Sequence, residues 1–337
     1  MMQQNVKRPT IKRKKGAALL SAMLTVTLVA TFAAAALWQQ WRSVEVEIAE
    51  RARVQVAWLL VGALDWSRLI LRIDGNAGTT DHLAEPWAVA LQESRLSTFL
   101  AADKNNTGGL TAEEQVDAFL SGSMVDAQSK LNVFNLIEAG ERSEADFLVF
   151  KKLFDHFNLP ITELENFVVN LKAALIANSL GTTTLMPQRV RQLTWLGLRP
   201  QTLDKLTPYI TLLPERTTVN INTAPAEVIY ASVPSLELAD AKLTVTTRER
   251  AHFQNLTDAE RAVTALKDKL IGKDMQYSVA TRFFEITGRI RLEQTVVEEQ
   301  SLVQRDLSNN VKTLWRERSV VASPEMMTNN TSVSPKL

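Results

Sequence analysis

Residues 12–37, KRKKGAALLSAMLTVTLVATFAAAAL, decide the fold of this chain. The apolar part, residues 17–37, has no charged side chain, and the uncharged stretch runs from Gly16 to Trp41. A helix rises about 1.5 Å per residue, so this part gives roughly 31 Å, enough to cross the hydrocarbon core of a bilayer. Its only polar side chains are Ser and Thr, whose hydroxyls can donate to carbonyls of their own helix. The stretch therefore predicts a transmembrane helix rather than a buried helix of a soluble protein.

Every charge before Gly16 is positive. Six Lys and Arg residues and no acid precede it, namely Lys7, Arg8, Lys12, Arg13, Lys14 and Lys15. The positive-inside rule keeps this end in the cytoplasm and places the residues from Gln39 onward across the inner membrane, in the periplasm. A secretory signal would have a shorter apolar region, with the peptidase cleavage site after it. Here the apolar region is long, and the Gly lies before it.

This order resembles the leader of prepilins, from which a membrane peptidase cuts a basic segment after Gly and leaves the helix on the mature protein. The resemblance implies cleavage between Gly16 and Ala17 and N-methylation of Ala17. Many pilins have Phe where this chain has Ala17.

Composition excludes several classes of protein. The chain has 337 residues, enough for one to three domains, and a net charge of +1, which becomes −5 without the six leader cations. A mature body of that charge gives no electrostatic reason to expect nucleic-acid binding. There is no Cys, so a body in an oxidising compartment must be held together by its core, by metal or by partner subunits.

Helical character continues beyond the membrane. Between Trp38 and Asp74 there is no Pro, and the only Gly is Gly62. Apolar residues recur there at steps of three and four: Ile48, Ala52, Val56, Leu59, Ala63, Trp66, Ile70 and Ile73. The pattern predicts one helix of roughly 86 Å that ends at Asp74 and packs this stripe on a sheet or another helix. Two helices with a break near the membrane surface are the alternative.

Beyond the long helix, the spacing of apolar residues changes twice, from that of strands to that of helices and back. Strands are predicted at 96–100 and 124–134, with an Asn turn ending the second. Helices are predicted from the apolar stripes Phe147–Phe157 and Leu164–Ile176, and at Pro187–Leu193, Gln201–Pro208, Ala224–Ser232 and Asp258–Ile271. Alternation at 284–292, 296–303 and 311–321 predicts strands again.

The predicted fold class is α+β: a long N-terminal transmembrane, pilin-like helix packed on an antiparallel sheet, with a large all-α domain inserted between strands. The predicted domains are a cleaved leader (1–16), the transmembrane helix (17–37), a periplasmic helix with the first part of the α/β domain (38–140), the inserted helical domain (141–273), the C-terminal strands (274–322) and a disordered tail (323–337).

Four segments carry a resemblance to a family. They are KGAALL at 15–20, HLAEPW at 82–87, VDAQSKLNVFNL at 125–136 and VNINTA at 219–224. In this order they are similar to the minor pseudopilins of type II secretion, most closely component K, the large member with an inserted helical domain. The resemblance implies a non-enzymatic subunit that caps the pseudopilus tip and helps to initiate its assembly for protein export. It implies as partners the components I, J and H, the major pseudopilin, the prepilin peptidase and inner-membrane lipid, and no nucleic acid.

Ser21 supports component K. Most pilins and pseudopilins have Glu at the fifth mature position, which is Ser21 here. An N-terminal ammonium in lipid needs a counter-ion, which the Glu of the next subunit supplies. A subunit at the tip has no predecessor to neutralise and can lack this Glu. The alternative is that Ser21 is simply another small residue of a membrane helix.

Calcium is a possible cofactor. Residues 103–114, DKNNTGGLTAEE, have the spacing of an EF-hand loop, with Asp103, Asn105, Thr107 and Glu114 as oxygen ligands. Asn and Thr replace two carboxylates, which lowers calcium affinity, and a solvated loop is the favoured interpretation. The family often carries a Gly-Ala-Glu-Asp type segment, which here reads SLGTTT at 179–184, so a family metal site is not carried over.

The other motifs favour structure over chemistry. NINTAP at 220–225 is similar to the start of a helix-hairpin-helix DNA module, but no Gly-rich hairpin follows, and we expect an Asn turn that caps a helix. The three His residues have no ligand spacing. The acidic pairs at 113–114 and 298–299 are expected to be solvated, and no P-loop, nucleophile elbow or His-Glu-x-x-His is present.

Two rival functions stay open. One is a minor pilin of a type IV pilus, which neighbouring genes would distinguish. The other is a signal-anchored periplasmic binding or enzymatic domain that keeps its leader, which the N-terminus of the mature chain would reveal.

Overall fold

The computed structural model describes residues 15–95, 118–179, 186–273, 276–292 and 295–321. They belong to two compact units, one that ends at Trp58 and one that begins at Leu59. Helix α1, Lys15–Ala77, supplies the described part of the first unit and the first element of the second. The predicted single helix is therefore confirmed, although its end at Asp74 was placed too early. Arg305 Nη1 donates to Leu71 O and Asn309 Nδ2 to Gly75 O, so two side chains from late in the sequence bind backbone carbonyls near the end of the helix.

The second unit is built on one antiparallel sheet. Its strands, in spatial order, are β1 (Leu91–Arg95), β2 (Ala118–Asp126), β9 (Phe283–Leu292), β10 (Thr295–Arg305) and β11 (Val311–Val321). Two-residue strands lie between β2 and β9 in sequence: β3 (Leu131–Asn132), β4 (Ile137–Glu138), β5 (Glu141–Arg142), β6 (Ile210–Thr211), β7 (Val219–Asn220) and β8 (Tyr277–Ser278). The α+β fold class is confirmed, with the late strands close to where the alternation predicts them.

The buried face of α1 in the second unit is one residue away from the predicted stripe. Leu60, Leu64 and Leu71 are almost fully buried, whereas Trp66 and Ile73 of the predicted stripe are exposed. Between Leu59 and Ile73 the charges of Asp65, Arg68 and Arg72 share one side of the helix, and the apolar arc that remains is wide enough to include both stripes. Leu64 and Leu71 pack in one core cluster with Trp87, Phe284, Ile286, Val303 and Val311.

A helical block is inserted between β2 and β9. Its helices are α2 (Glu144–His156), α3 (Ile161–Ser179), α4 (Pro200–Leu206), α5 (Ala226–Ser232), α6 (Leu238–Arg250) and α7 (Leu256–Ala262). Ser143 caps α2 and places Phe147, Phe150 and Leu153 in the large core of this block. The domain limits predicted around the block stay a prediction.

The strand predicted at 124–134 is not continuous: β2 ends at Asp126, and only the two-residue β3 follows within that range. The Asp126 carboxylate accepts from Gln128 N at 2.7 Å, and Asn132 Oδ1 accepts from Phe134 N at 3.1 Å. Each bond starts a 3₁₀ turn, at Ala127–Ser129 and Val133–Leu136, so the chain leaves the sheet. The Asn turn is confirmed, and the strand predicted at 96–100 lies outside the described residues.

Two helix predictions need correction, and one further helix has no counterpart among the predictions. The helix predicted at Pro187–Leu193 is a 3₁₀ helix at Val190–Leu196. The helix predicted at Asp258–Ile271 ends at Ala262, because the Glu260 carboxylate accepts from Leu270 N and Ile271 N and turns the chain back. Helix α6 was not predicted, since its sequence LADAKLTVTTRER is rich in β-branched residues and weakly amphipathic.

Glu299 contradicts the expectation that the pair 298–299 is solvated. Its side chain is 3% exposed, because it lies on the face of β10 that is turned toward α1. Alternation along a strand puts neighbouring residues on opposite faces, so two adjacent acids of a central strand cannot both face solvent in the same way.

Candidate assembly surface

The N-terminal part of α1 is apolar and exposed. Among the described residues, this helix is the one that is long and apolar enough to cross a membrane, as judged by length and composition. Leu19, Leu24 and Phe32 are each about two-thirds exposed. Transfer of such side chains from water to lipid, or to a contact with another apolar helix, is favourable.

The polar side chains of this segment are satisfied within the helix. Ser21 Oγ donates to Ala18 O at 2.9 Å, and Thr25, Thr27 and Thr31 make the same bond to the carbonyl three residues earlier. The expected bonding is thus confirmed, and no hydroxyl here needs water. The roles of Gly16, Ala17 and Ser21 stay predictions; the backbone of Gly16 and Ala17 lies in the first turn of α1, and residues 1–14 lie outside the described part.

A second exposed apolar surface lies on α1 within the second unit. Leu69 and Ile73 are 45% and 59% exposed, on the side of the helix opposite Leu64 and Leu71. Large exposed apolar side chains on an ordered helix are typical of a protein interface.

A polar junction holds the end of α1, the sheet and the helical block together. It consists of Asp81, Asp126, Asn220, Thr223, Thr281 and Arg305, all of them buried. Arg305 Nη2 donates to Asp81 Oδ1 at 2.5 Å and to Thr281 O at 3.0 Å, and Nη1 donates to Asp74 Oδ2 at 3.2 Å. Asp81 accepts in addition from Thr281 N at 2.8 Å. Arg305 therefore carries the positive charge between two carboxylates.

Asp126 ties the insertion to the sheet. Its Oδ2 accepts from Asn220 Nδ2 at 2.9 Å and from Thr223 Oγ1 at 2.5 Å. Asn220 Nδ2 also donates to the backbone carbonyl of Asp81 at 3.1 Å, so one amide joins the Asp126 carboxylate to the main chain at Asp81. Burial raises the pKa of Asp126 to about 6, because desolvation of the carboxylate outweighs these hydrogen bonds.

Asp74 and Glu85 lie at the edge of the polar junction. Burial, then the neighbouring charges of Glu85 and Asp81, raise the pKa of Asp74 to about 6, against the lowering effect of Arg305. Carboxylate oxygens of Asp74, Asp81 and Glu85 lie within 4.8 Å of one another, close enough to hold a cation. Arg305 already pairs with the two aspartates, so its guanidinium supplies that positive charge.

Two histidines that were expected to be scattered meet beside the polar junction. The rings of His82 and His252 stack at 3.6 Å between centroids, with 16° between their planes. Desolvation lowers the pKa of both, and each cation would repel the other. The stack joins the segment after α1 to the segment after α6.

The NINTAP motif is buried, which fits the structural interpretation. Asn220 and Asn222 are 0% and 2% exposed, and Asn222 N donates to Asn220 Oδ1. The Asn turn is confirmed, but it does not cap α5, whose N-cap is Pro225 without a side-chain bond. Asn222 instead binds the backbone N–H and carbonyl of Phe253.

Three of the segments that carry the resemblance converge at the polar junction. HLAEPW at 82–87 follows Asp81, Asp126 lies in 125–136, and Asn220 and Thr223 lie in 219–224. Sequence reasoning missed Asp81, Thr281 and Arg305, which are isolated polar residues far apart in the chain; a charged residue at the end of an apolar strand, as at Arg305, is the one available signal. The candidate calcium ligands Asp103, Asn105, Thr107 and Glu114 lie outside the described residues.

Comparisons with known proteins agree with this architecture. A family model described as "Type II secretion system (T2SS), protein K" matches residues 219–279, which begin at β7 and end just after β8. A type II secretion system protein K from Pseudomonas aeruginosa is 23% identical over 319 residues, which cover 90% of this chain and 92% of that protein.

A solved structure has a similar fold. A chain in the crystal structure of the GspK–GspI–GspJ complex from the enterotoxigenic Escherichia coli type 2 secretion system superposes with a TM-score of 0.58 and 15% identity. The match covers 80% of this chain and 98% of that one. The resemblance to component K that was read from the sequence is thus confirmed.

Proposed function

We propose that this chain is a minor pseudopilin of the type II secretion system that caps the tip of the periplasmic pseudopilus. The observation that carries the proposal is α1, a single helix whose first part is an exposed apolar segment of membrane length and whose last part packs Leu60, Leu64 and Leu71 against a sheet. The similarity to protein K from Pseudomonas aeruginosa over nine-tenths of the chain supports it.

The mechanism is assembly rather than catalysis. After the cut between Gly16 and Ala17, the apolar segment stays in the inner membrane and the body lies in the periplasm. Neighbouring pseudopilins then pack against the exposed face of α1, and the complex is extruded as further subunits join from below. The complex in which the similar Escherichia coli chain was solved contains GspI and GspJ, which supports components I and J as neighbours.

A tip position follows from two features. Ser21 offers no carboxylate to the ammonium of a preceding subunit, so the chain is suited to a place with no predecessor. The helical block between β2 and β9 also enlarges the chain, and a subunit within the shaft would have to fit this block between its neighbours.

Export measured in the native host tests this function. Deletion of the gene is expected to stop export of type II substrates, and the intact gene to restore it. A Gly16→Val variant should not restore export, because the leader cannot be removed. Gly78→Val is the matched control, since Gly78 is exposed just beyond α1 and a Cβ there would meet only Thr80 O, at 4.0 Å. Normal export with lost pili would favour a type IV minor pilin; normal export and pili with a retained leader would favour the anchored domain.

A further inference from the structure

A cavity of about 310 Å³ lies between α1 and the sheet, within the second unit. Gly122 and Gly288 face each other across β2 and β9 on its sheet side. A Cβ at Gly288 would lie 3.5 Å from Leu60 Cδ2, so the absence of side chains on this pair leaves space beneath the helix. The other walls are mostly apolar and include Leu64, Ile70, Val89, Leu120 and Met124. A volume of this size is at the lower end of the range for small-molecule pockets.

Glu299 lines this cavity, and one of its two carboxylate oxygens lacks a donor. Glu299 is paired with Gly288 in register and is 3% exposed. Its Oε2 accepts from Arg318 Nε at 3.1 Å and from Arg318 Nη2 at 2.6 Å. Its Oε1 is buried and accepts no hydrogen bond from the described part of the chain; Arg316 Nε lies 3.8 Å away, beyond hydrogen-bond distance. A buried acceptor without a donor costs free energy, which a suitable ligand would recover.

The charges around Glu299 select a neutral donor. Arg316 and Arg318 already place two cations beside one carboxylate. A cationic ligand would add a third positive charge beside the two arginines. An anionic ligand would place its charge next to the negative charge of the carboxylate, which would repel it. A hydroxyl or amide N–H satisfies Oε1 without changing the charge.

We infer that this cavity binds a small neutral molecule with an apolar body and one hydroxyl or amide donor, with the donor on Glu299 Oε1 and the body against the glycine pair. The binding site is independent of the proposed assembly function, since it lies on the buried side of α1.

Methyl NMR of the full chain in lipid nanodiscs tests the inference. Met124 lines the cavity, so its ¹³C-methyl signal reports occupancy. The probes are 2-phenylethanol, ethylbenzene, 2-phenylethylammonium and phenylacetate, each at a known free aqueous concentration. We expect 2-phenylethanol to shift the Met124 signal saturably and to bind more tightly than either ion.

Two matched variants isolate the role of the carboxylate. Glu299→Leu removes the acceptor, and Glu298→Leu makes the same change at the neighbouring residue on the opposite face, which pairs with Arg289. The measured quantity is the Kd of ethylbenzene divided by the Kd of 2-phenylethanol. This ratio is expected to fall about tenfold in Glu299→Leu, because one hydrogen bond to a charged acceptor contributes about that factor. In Glu298→Leu the ratio is expected to keep its wild-type value.

Three results would overturn the inference. They are an unchanged ratio in Glu299→Leu, a cation or anion that binds as tightly as the alcohol, and a Met124 signal that no probe shifts saturably. The last result would mean that water alone satisfies Oε1. The comparison of the four probes on the wild-type chain keeps the test decisive if Glu299→Leu does not fold.

Discussion

Arg305 links three parts of the chain through one guanidinium group. It donates to Asp81, to Asp74 and to the carbonyls of Leu71 and Thr281. Its side chain is 8% exposed and that of Asp81 is 2% exposed, so neither charge can turn to water if the other is removed.

Replacement of Arg305 by Met should therefore be severe. The variant leaves Asp81 buried without a counter-ion, and we expect the free energy of unfolding to fall by about 3–5 kcal/mol. Urea unfolding of the chain in nanodiscs, followed by tryptophan fluorescence, measures it. Arg261→Met is the control: Arg261 is 74% exposed in its ion pair with Asp258, and the loss of this pair should cost less than about 1 kcal/mol. Equal losses in the two variants would contradict the role assigned to Arg305.

Asp126 predicts a pH dependence of stability. Burial raises its pKa from 3.8 to about 6 in the folded chain, so folding favours the protonated form. Its contribution to the free energy of unfolding is therefore largest below about pH 4 and falls as the pH rises through 6. The free energy of unfolding of the wild type minus that of Asp126→Asn should decrease by about 2 kcal/mol between pH 4 and pH 7.

The difference between the two proteins is the quantity to measure, because other groups titrate in both. The His82–His252 pair contributes with the opposite sign: its lowered pKa values make its stabilising effect decrease as the pH falls below about 6.5. A difference that is constant or grows with pH would contradict the buried, protonatable state of Asp126.

Sequence reasoning is weakest for such residues. Asp81, Asp126 and Arg305 are separated by tens to hundreds of positions, and each looks like an ordinary surface charge until the sheet and the helical block bring them together. The burial of Glu299 was missed for the same reason, since Glu298 and Glu299 look alike in the sequence and only the strand face decides which of them is buried.

Helix α1 has two faces with different tasks. Leu71 is fully buried against the sheet, and Ile73, two residues away, is 59% exposed. Leu71→Ala should lower the free energy of unfolding by about 2–5 kcal/mol because it leaves a cavity in the core. Ile73→Ala should change it by less than about 0.5 kcal/mol. Urea unfolding measures both, and a large loss in Ile73→Ala would mean that this face is buried in the folded chain.

The exposed face can be mapped by crosslinking, because the chain has no Cys of its own. If the proposed function holds, a single Ile73→Cys substitution, treated in native membranes with a thiol-to-amine crosslinker, captures a minor pseudopilin. Leu148→Cys is the control, since Leu148 is equally exposed on α2 of the helical block. Mass spectrometry identifies the products. Partners captured from Leu148→Cys and not from Ile73→Cys would place the interface elsewhere.

Elements were predictable where one pattern dominates. The long helix follows from the absence of Pro and from unbroken apolar spacing, and β9 to β11 follow from alternation. Side-chain bonds to the backbone decided the rest: Asp126 and Asn132 end strands, and Glu260 ends a helix. These bonds require partners whose positions the sequence alone does not fix.

At the scale of the whole molecule, the resemblance predicted the α+β class and the order of sheet, inserted helices and sheet. The polar junction explains why the motifs of that resemblance occur where they do, since HLAEPW, VDAQSKLNVFNL and VNINTA meet there. The membrane anchor, in contrast, follows from physical chemistry alone, because its length and lack of charge are local properties.

The mass of the N-terminal peptide of the chain isolated from membranes tests the central claim most directly. The account predicts a peptide that begins at Ala17 and carries one N-methyl group, with the apolar segment retained. A peptide that begins at Met1, or one that begins after Leu37, would contradict a pseudopilin cut ahead of its membrane helix.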